Sequence, residues 1–482
     1  GGQYFFLGRP RRFGKSLFLS TLKCFFQGRR ELFKGLYADS MDWDWTPHPV
    51  LYLDLNIEKY QTPEVFGQVL RRLLGKWEEK YGITPSEDNI SVRFADIIET
   101  IFNKTRERVV ILVDEYDKPL VSNLHNKGML ELLRNELASL YSNFKSSAEY
   151  IRMVFLTGVS RFGHLSVFSG LNNIRDVSFN DDFSDICGIT EDELKFYFKI
   201  GIKNLSNKFS ESEETILQNL KNRYDGYRFS GNGKEIYNPY SIVSVMEDER
   251  FSNFWIYSGQ ATLLVQQLRR FNVDLQDVVN AQCGLNTLLG LDLDNPNPLA
   301  LLYQTGYLTI KDYNPRRDIY TLGIPNTEVE EGFLSYLLPF YANIKNDDSK
   351  VFIYRLIDCL DEGKAFEFME GIKSMFSSVS YDMHMDKEQN LHNSLLILMK
   401  LLSIEVETEY RTSNGRIDLF IKTDKYYYII ELKLDRSARE ALDQINEKGY
   451  TLPFSTDSRK VIKVGVNFST ETRTISEWLI ED

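Results

Sequence analysis

The sequence predicts an α/β protein of two or three domains, opening on an apolar strand that runs into a glycine-containing basic loop and closing on two apolar strands that carry acid and lysine side chains. Three observations predict this. The chain has 482 residues, more than one ordinary core accommodates. Tyr4-Phe5-Phe6-Leu7 reads as a strand, and a loop ending Gly14-Lys15-Ser16 separates it from the helical pattern Leu17 to Leu22. Near the other end, Gly415 to Ile421 and Tyr426 to Lys433 read as adjacent strands around a polar turn at Thr423-Asp424.

Composition narrows the class. The chain is 43% hydrophobic, 13% aromatic and 26% charged, which describes packed domains rather than extended disorder. No apolar run approaches the roughly 20 residues that span a bilayer, so no membrane partner is expected. Cys24, Cys187, Cys283 and Cys359 lie far apart and make neither a disulfide framework nor a metal-ligand spacing, as in a reducing, cytoplasmic setting. The formal net charge of −12 argues against coating nucleic acid broadly but leaves room for a local basic groove. The chain begins Gly-Gly-Gln without an initiator Met, consistent with a natural start lying upstream.

The first loop, Gly8-Arg9-Pro10-Arg11-Arg12-Phe13-Gly14-Lys15-Ser16, has the parts of a phosphate cradle. Gly8, Arg12 and Gly14 would shape the loop so that backbone N–H groups and a helix N-terminus face the phosphates. Lys15 would reach the β- and γ-phosphates and Ser16 a Mg²⁺ ion. The spacing is Gly-x5-Gly-Lys-Ser rather than Gly-x4-Gly-Lys-Ser, with Arg9 where the first glycine should fall.

A second strand, Val109 to Val113, is wholly apolar and ends in Asp114-Glu115, the pattern of a Walker B element. Asp114 would join the Mg²⁺ shell and Glu115 would orient or deprotonate the attacking water. A third strand, Ile151 to Leu156, ends in Thr157, suited to sense a γ-phosphate. Ser160-Arg161 follow, with Arg161 suited to stabilise charge. The bland alternative is a chance Gly-Lys-Ser beside an acidic surface turn, and a loop that binds nucleotide without hydrolysing it would look nearly the same.

Arg9-Pro10-Arg11-Arg12-Phe13-Gly14-Lys15-Ser16-Leu17, the run Val113 to Leu120 (Val-Asp-Glu-Tyr-Asp-Lys-Pro-Leu) and Phe168-Ser169-Gly170-Leu171-Asn172-Asn173 together resemble the bacterial AAA-ATPase-like family over nearly the whole chain. The resemblance implies a P-loop, AAA-type three-layer ATPase core over residues 1–185, binding ATP, with the first Walker glycine replaced as it is here. It also implies a C-terminal PD-(D/E)xK nuclease-like α/β domain. AAA-type modules often form rings, so a homo-oligomer is an admissible assembly.

Residues 186–345 read as a helical lid and a winged-helix-like domain. Thr190-Glu191-Asp192-Glu193 forms an N-cap and acidic first turn. Tyr224-Asp225-Gly226-Tyr227 and Tyr237-Asn238-Pro239-Tyr240 are aromatic turns best suited to packing. Tyr307 to Lys311 and Asp318 to Leu322 look like a hairpin after a helix, whose loop residues Arg316 and Arg317 either touch a DNA backbone or form a solvated turn. The polar run Asn343 to Lys350 suggests a boundary or loop.

Residues 346–482 hold the second site. Strand side chains alternate, so Glu431 and Lys433 share a face, and pairing with the previous strand brings Asp418 alongside. Asp418 and Glu431 would bind Mg²⁺ through carboxylate oxygens, with water and substrate phosphate completing the shell. Lys433 would position water or stabilise developing charge. An exposed cross-strand ion pair is the bland reading, but so apolar a strand makes these charges costly unless a metal or substrate uses them. Of Glu405, Glu407 and Glu409, which alternate on one strand, Glu407 is the favoured upstream metal ligand. The flanks fit the α-β-β-β-α-β core of PD-(D/E)xK nucleases, with an apolar helix from Leu391 to Leu402 before and a helix carrying Gln444, an auxiliary site residue, after. His392 on the earlier helix suits packing or capping better than ligation.

The expected function is ATP binding and hydrolysis coupled to Mg²⁺-dependent phosphodiester cleavage of nucleic acid, DNA being favoured, with ATP and Mg²⁺ as sole cofactors. The alternative is a nucleotide-dependent signalling or scaffold switch whose nuclease fold is inactive and recognises a partner.

Overall fold

A computed structural model describes residues 3–57, 60, 62–123, 126–161, 174–257, 281–290, 297–342, 346–377, 405–412, 415–472 and 474–482. The Phe168–Asn173 motif, the expected helix from Leu391 to Leu402 and His392 lie outside them. The chain divides into two compact units, Gly1–Gly259 with Val278–Glu328, and Gln260–Asp277 with Val329–Asp482.

The first unit is built on a parallel sheet of β1 (Tyr4–Gly8), β2 (Val50–Asp54), β3 (Val109–Asp114), β4 (Ile151–Gly158) and β5 (Arg175–Asp176), in the order β2-β3-β4-β1-β5. Every residue of β3 is buried, as a central strand covered on both faces requires. Helix α1 (Lys15–Phe26) covers one face, where Leu19 and Phe26 pack with Leu7, Val50, Val110, Leu112 and Phe155. Between β2 and β3 run α2 (Pro63–Tyr81), with proline in its first turn, and α3 (Ile90–Thr105), capped by the Asn89 side chain. A bidentate pair joins α3 to α2, Arg93 to Glu78, with N–O distances of 2.8 and 2.7 Å. Helix α4 (Lys127–Ser146) precedes β4, and the Tyr4 hydroxyl donates to its Phe144 carbonyl. Alternate β1 residues therefore address opposite layers: Tyr4 reaches α4, and Leu7 packs with α1. The architecture is the expected three-layer α/β unit.

The chain then enters a helical cluster: α5 (Glu191–Tyr197), α6 (Lys199–Phe209), α7 (Glu213–Tyr224) and α8 (Pro239–Asp248). Thr190 is the expected N-cap, and with Glu193 it forms a reciprocal capping box. Leu194, Leu205, Ile216, Leu220, Tyr224 and Tyr237 fill the core, so the tyrosine motifs pack. After α9 (Pro298–Thr305), three short antiparallel strands, β6 (Gln282–Gly284), β7 (Thr309–Asn314) and β8 (Ile319–Gly323), pair in the order β6-β8-β7. Helix followed by hairpin is the order expected from the sequence.

The second unit contains α10 (Asn346–Asp361) and α11 (Ala365–Ser377). The polar run expected to be a loop thus supplies the start of a helix from residue 346. Asn346-Asp347-Asp348-Ser349 is the composition a helix N-terminus favours, where capping oxygens and negative charge satisfy free N–H groups. A five-stranded sheet follows, with β9 (Glu405–Thr412), β10 (Gly415–Lys422), β11 (Tyr426–Leu434), β12 (Lys460–Ser469) and β13 (Thr474–Glu481) in the order β13-β12-β11-β10-β9. Only the β11–β12 pairing is parallel, and α12 (Ala438–Glu447) makes that crossover.

Candidate nucleotide and metal sites

Strand order decides where the first site lies. β1, β3 and β4 run parallel with β4 between the other two, so the loop after β1, the acids after β3 and Thr157 at the end of β4 meet at the carboxyl edge of the sheet, where parallel α/β folds bind ligands. Gly14, at φ 71°, turns the loop into α1. Lys15 is buried, and its ammonium donates to the carbonyls of Arg9 and Pro10 at 3.0 and 2.9 Å. Burial lowers its pKa, opposed by the charges of Glu115, Asp117 and Asp114. The lysine is thus preplaced inside the loop, and a phosphate would have to win it from two carbonyls. Ser16 is exposed on the first helical turn.

Asp114 is buried and accepts two hydroxyl bonds, from Thr157 at 2.8 Å and from Tyr52 of β2 at 3.0 Å. The expected metal-shell acid and phosphate sensor are therefore in direct contact, leaving further lone pairs on the carboxylate for a hydrated cation. Glu115 follows in the left-handed region at φ 48°, which turns its side chain away from the strand alternation. Arg161 is engaged in an ion pair with Asp176 of β5 at 2.6 Å, and its N–H donates to the Gln304 side chain at 2.8 Å. Its guanidinium is held beside β5 rather than extended into solvent.

Arg9, which the sequence left only as a misfit in the glycine pattern, proves structural. Its buried guanidinium donates to the carbonyls of Gly8, Ser178, Phe183, Ser184 and Ile186 and lies 4.3 Å from the centre of the Phe229 ring. Burial lowers its pKa to about 10. Three aromatic contacts extend the clamp: Phe13 meets Tyr227 and Phe229 edge to face, and the exposed Arg12 lies 4.8 Å from the Tyr240 ring centre. Gly8 donates its N–H to the Ser178 hydroxyl at 2.7 Å. No local signal could have revealed this, because every partner except the adjacent Gly8 carbonyl lies about 170 residues or more downstream in several turns.

The second site forms on neighbouring strands. The antiparallel register of β10 and β11 pairs Leu419 with Ile430, so Asp418 stands at the next position opposite Glu431. Asp418 accepts the Leu432 N–H at 2.9 Å. The Glu431 carboxyl is 2% exposed. Its Oε1 accepts from Lys433 at 3.4 Å and from the Gln444 amide, and Lys433 in turn donates to the Gln444 oxygen at 2.6 Å. All four predicted residues, Asp418, Glu431, Lys433 and Gln444, are thus brought together.

Burial raises the Glu431 carboxyl to about 7, the Asp418 charge adds to the rise, and Lys433 opposes it. Its Oε2 is buried and accepts no hydrogen bond from the described residues. A buried carboxylate oxygen without a donor is costly unless a cation takes it, and a hard divalent ion needs this kind of oxygen. The residues therefore suit a divalent cation, which Asp418 and Glu431 could hold. Among the described residues no group of three His, Cys, Asp or Glu could hold a metal. For the upstream acid the structure gives only the backbone: the register sets Glu407 opposite Phe420, two positions from Asp418, and its side chain lies outside the described residues.

Gln444 depends on tight packing of α12 over the sheet. A Cβ at Gly465 of β12 would sit 2.3 Å from the Ala438 carbonyl oxygen and 2.7 Å from the Leu442 nitrogen. Gly465→Ala is expected to destabilise the unit by about 1–3 kcal/mol, the usual cost of overpacking, and to weaken the Gln444 contacts. Urea unfolding followed by far-UV circular dichroism would detect the lower midpoint, and an unchanged midpoint would refute the packing argument.

Comparisons with known proteins agree with this division of the chain. A family model described as predicted AAA-ATPase matches residues 1–168, and a PD-(D/E)XK nuclease superfamily model matches residues 386–478. An uncharacterized protein in the vnfD 5′ region of Azotobacter chroococcum mcd 1 is 31% identical over 501 aligned residues, covering all of this chain and 92% of that protein.

Proposed function

This chain belongs to the family of predicted AAA-ATPases that carry a C-terminal PD-(D/E)XK nuclease superfamily domain, and from that premise we propose that it hydrolyses ATP with Mg²⁺ in its first unit and cleaves phosphodiester bonds of DNA with Mg²⁺ in its second. The observation that carries the nuclease reading is the Glu431 carboxylate, buried beside Asp418 with one oxygen unmatched by any described donor.

Each residue has a task in this reading. Asp418 and Glu431 would hold the cation, which would supply Lewis-acid polarisation of a phosphate and lower the pKa of a water. Lys433, fixed by Gln444, presents a positive charge to the developing phosphorane. In the first unit, Lys15 and the loop N–H groups hold the triphosphate, Ser16 and Asp114 the hydrated ion, and Glu115 the attacking water. Thr157, bonded to Asp114, reads the γ-phosphate, and Arg161 supplies positive charge on leaving Asp176. Phosphoryl transfer of this kind rests on positioning and charge stabilisation, so two carboxylate-rich sites and one basic loop suffice.

The test is cleavage of linear and circular DNA and of RNA by the purified protein with Mg²⁺, with and without ATP, in parallel with an ATPase assay. Metal-dependent cutting of DNA stimulated by ATP supports the coupled reading. ATP hydrolysis with no cutting of any substrate, together with salt-insensitive nucleic-acid affinity, would replace it with a nucleotide-dependent switch whose nuclease fold binds a partner.

A further inference from the structure

Asp117, three residues beyond Asp114, takes no part in the scheme above, yet it is 2% exposed. Its carboxylate accepts the N–H of Val159, at 3.1 Å from Oδ2, and the N–H of Ser160 at 2.6 Å. Beside it, the Tyr116 hydroxyl donates to the Ser160 carbonyl at 2.9 Å, and the Tyr116 N–H donates to the Thr157 carbonyl at 3.0 Å. The turn that follows β3 thus grips the end of β4 and the turn after it at four points. The fit is close: a Cβ at Gly158 would lie 2.6 Å from an Asp117 oxygen and 2.7 Å from the Tyr116 ring.

The gripped residues run from Thr157 to Ser160, directly before Arg161, and the gripping ones directly follow Asp114 and Glu115. A one-ångström shift between such groups is enough to slow a phosphoryl transfer strongly. We propose that Asp117 is a positioning residue for ATP hydrolysis, its carboxylate locking Val159 and Ser160 so that Thr157 and Arg161 keep register with Asp114 and Glu115. The proposal rests on the ATPase reading given above. In this role Asp117 acts through the amides it holds rather than on phosphate or water directly. Burial raises its pKa to about 6, opposed by the Ser160 N–H bond, with smaller contributions from the charges of Glu115, which raises it, and Lys15, which lowers it.

Two variants test this in the full chain. Asp117→Asn keeps the shape and removes the charge, and Tyr116→Phe removes only the hydroxyl that reaches Ser160. Loss of a charge-assisted bond is expected to speed hydrogen exchange at the Val159 and Ser160 amides about tenfold or more. The ATPase kcat should fall by about tenfold or more while KM for ATP stays within about threefold, because the loop that binds nucleotide is untouched. Tyr116→Phe should show the same pattern at smaller amplitude, and it keeps the test open if Asp117→Asn does not fold. Unchanged exchange, faster exchange with unchanged kcat, or kcat and KM changing together as a binding defect would each overturn the proposal. A wild-type protein that turns over no ATP removes the underlying ATPase reading instead, and is recognised before any variant is compared.

Discussion

Glu431→Gln is expected to reduce metal-dependent DNA cleavage by about 10²- to 10⁴-fold, the range a single electrostatic or acid–base group commonly supplies. The substitution keeps the shape and the bond to Gln444 but removes the charge a cation needs. Wild-type cleavage should carry a matching pH signature. The carboxyl holds its proton up to about pH 7 because burial and Asp418 disfavour the charge. Mg²⁺ must displace that proton, so its apparent affinity should drop roughly tenfold for each pH unit below this point, and Glu431→Gln should abolish that dependence.

Stability without metal follows with the opposite sense. The native carboxyl titrates near 7 and the unfolded one near 4.5, so between these values the native state binds the extra proton. This group's contribution is full below about 4.5 and is lost as pH rises through about 7. In chelator, the unfolding midpoint of wild type should fall across that window and that of Glu431→Gln should not. Mg²⁺ titrations at pH 5, 6, 7 and 8, with unfolding in chelator at the same values, decide both points. Cleavage by the variant at the wild-type rate would remove Glu431 from the site.

The second large effect separates binding from chemistry in the first unit. Lys15→Ala should abolish nucleotide binding, since the ammonium sits inside the loop, bonded among the described residues to the Arg9 and Pro10 carbonyls. Glu115→Gln should retain binding and lose about 10²- to 10⁴-fold in hydrolysis. Asp114 and Thr157 remain bonded in that variant, so the metal shell and phosphate contact persist. Titration of a fluorescent ATP analogue beside phosphate release reads the two quantities independently. A Glu115→Gln protein with normal turnover would pass the water-orienting role to another side chain.

The parts legible in the sequence were those governed by short-range periodicity. Two-residue alternation in Tyr426 to Lys433 was enough to align Glu431 with Lys433, and antiparallel pairing across a short turn then fixed Asp418. Gln444 could be anticipated because α12 follows β11 directly. The apolar runs ending in Asp114-Glu115 and in Thr157 announced strand ends at one sheet edge. What escaped depended on distant pairing. Arg9 is explained only by carbonyls from residues 178–186, and Asp117 only by amides 42 and 43 residues later. The choice among Glu405, Glu407 and Glu409 is a matter of side-chain position on β9, which alternation alone leaves equal. The start of α10 was hidden because the residues that cap a helix are also those that make loops.

The clamp around the phosphate loop bears on how this protein could be taken apart. Phe13, Arg9, Arg12 and the Arg11 carbonyl are satisfied by Tyr227, Phe229, Tyr240 and the Trp255 indole N–H, all of which lie beyond residue 168, where the nucleotide-binding family match ends. A fragment cut at that point would uncover aromatic surface, strand a buried guanidinium and free the loop it is meant to present. Recombination that moved the loop without its aromatic partners would therefore transplant a motif and leave its shape behind, so gene fusions that exchange the chain's functions should find their junctions well downstream of the loop and its strands.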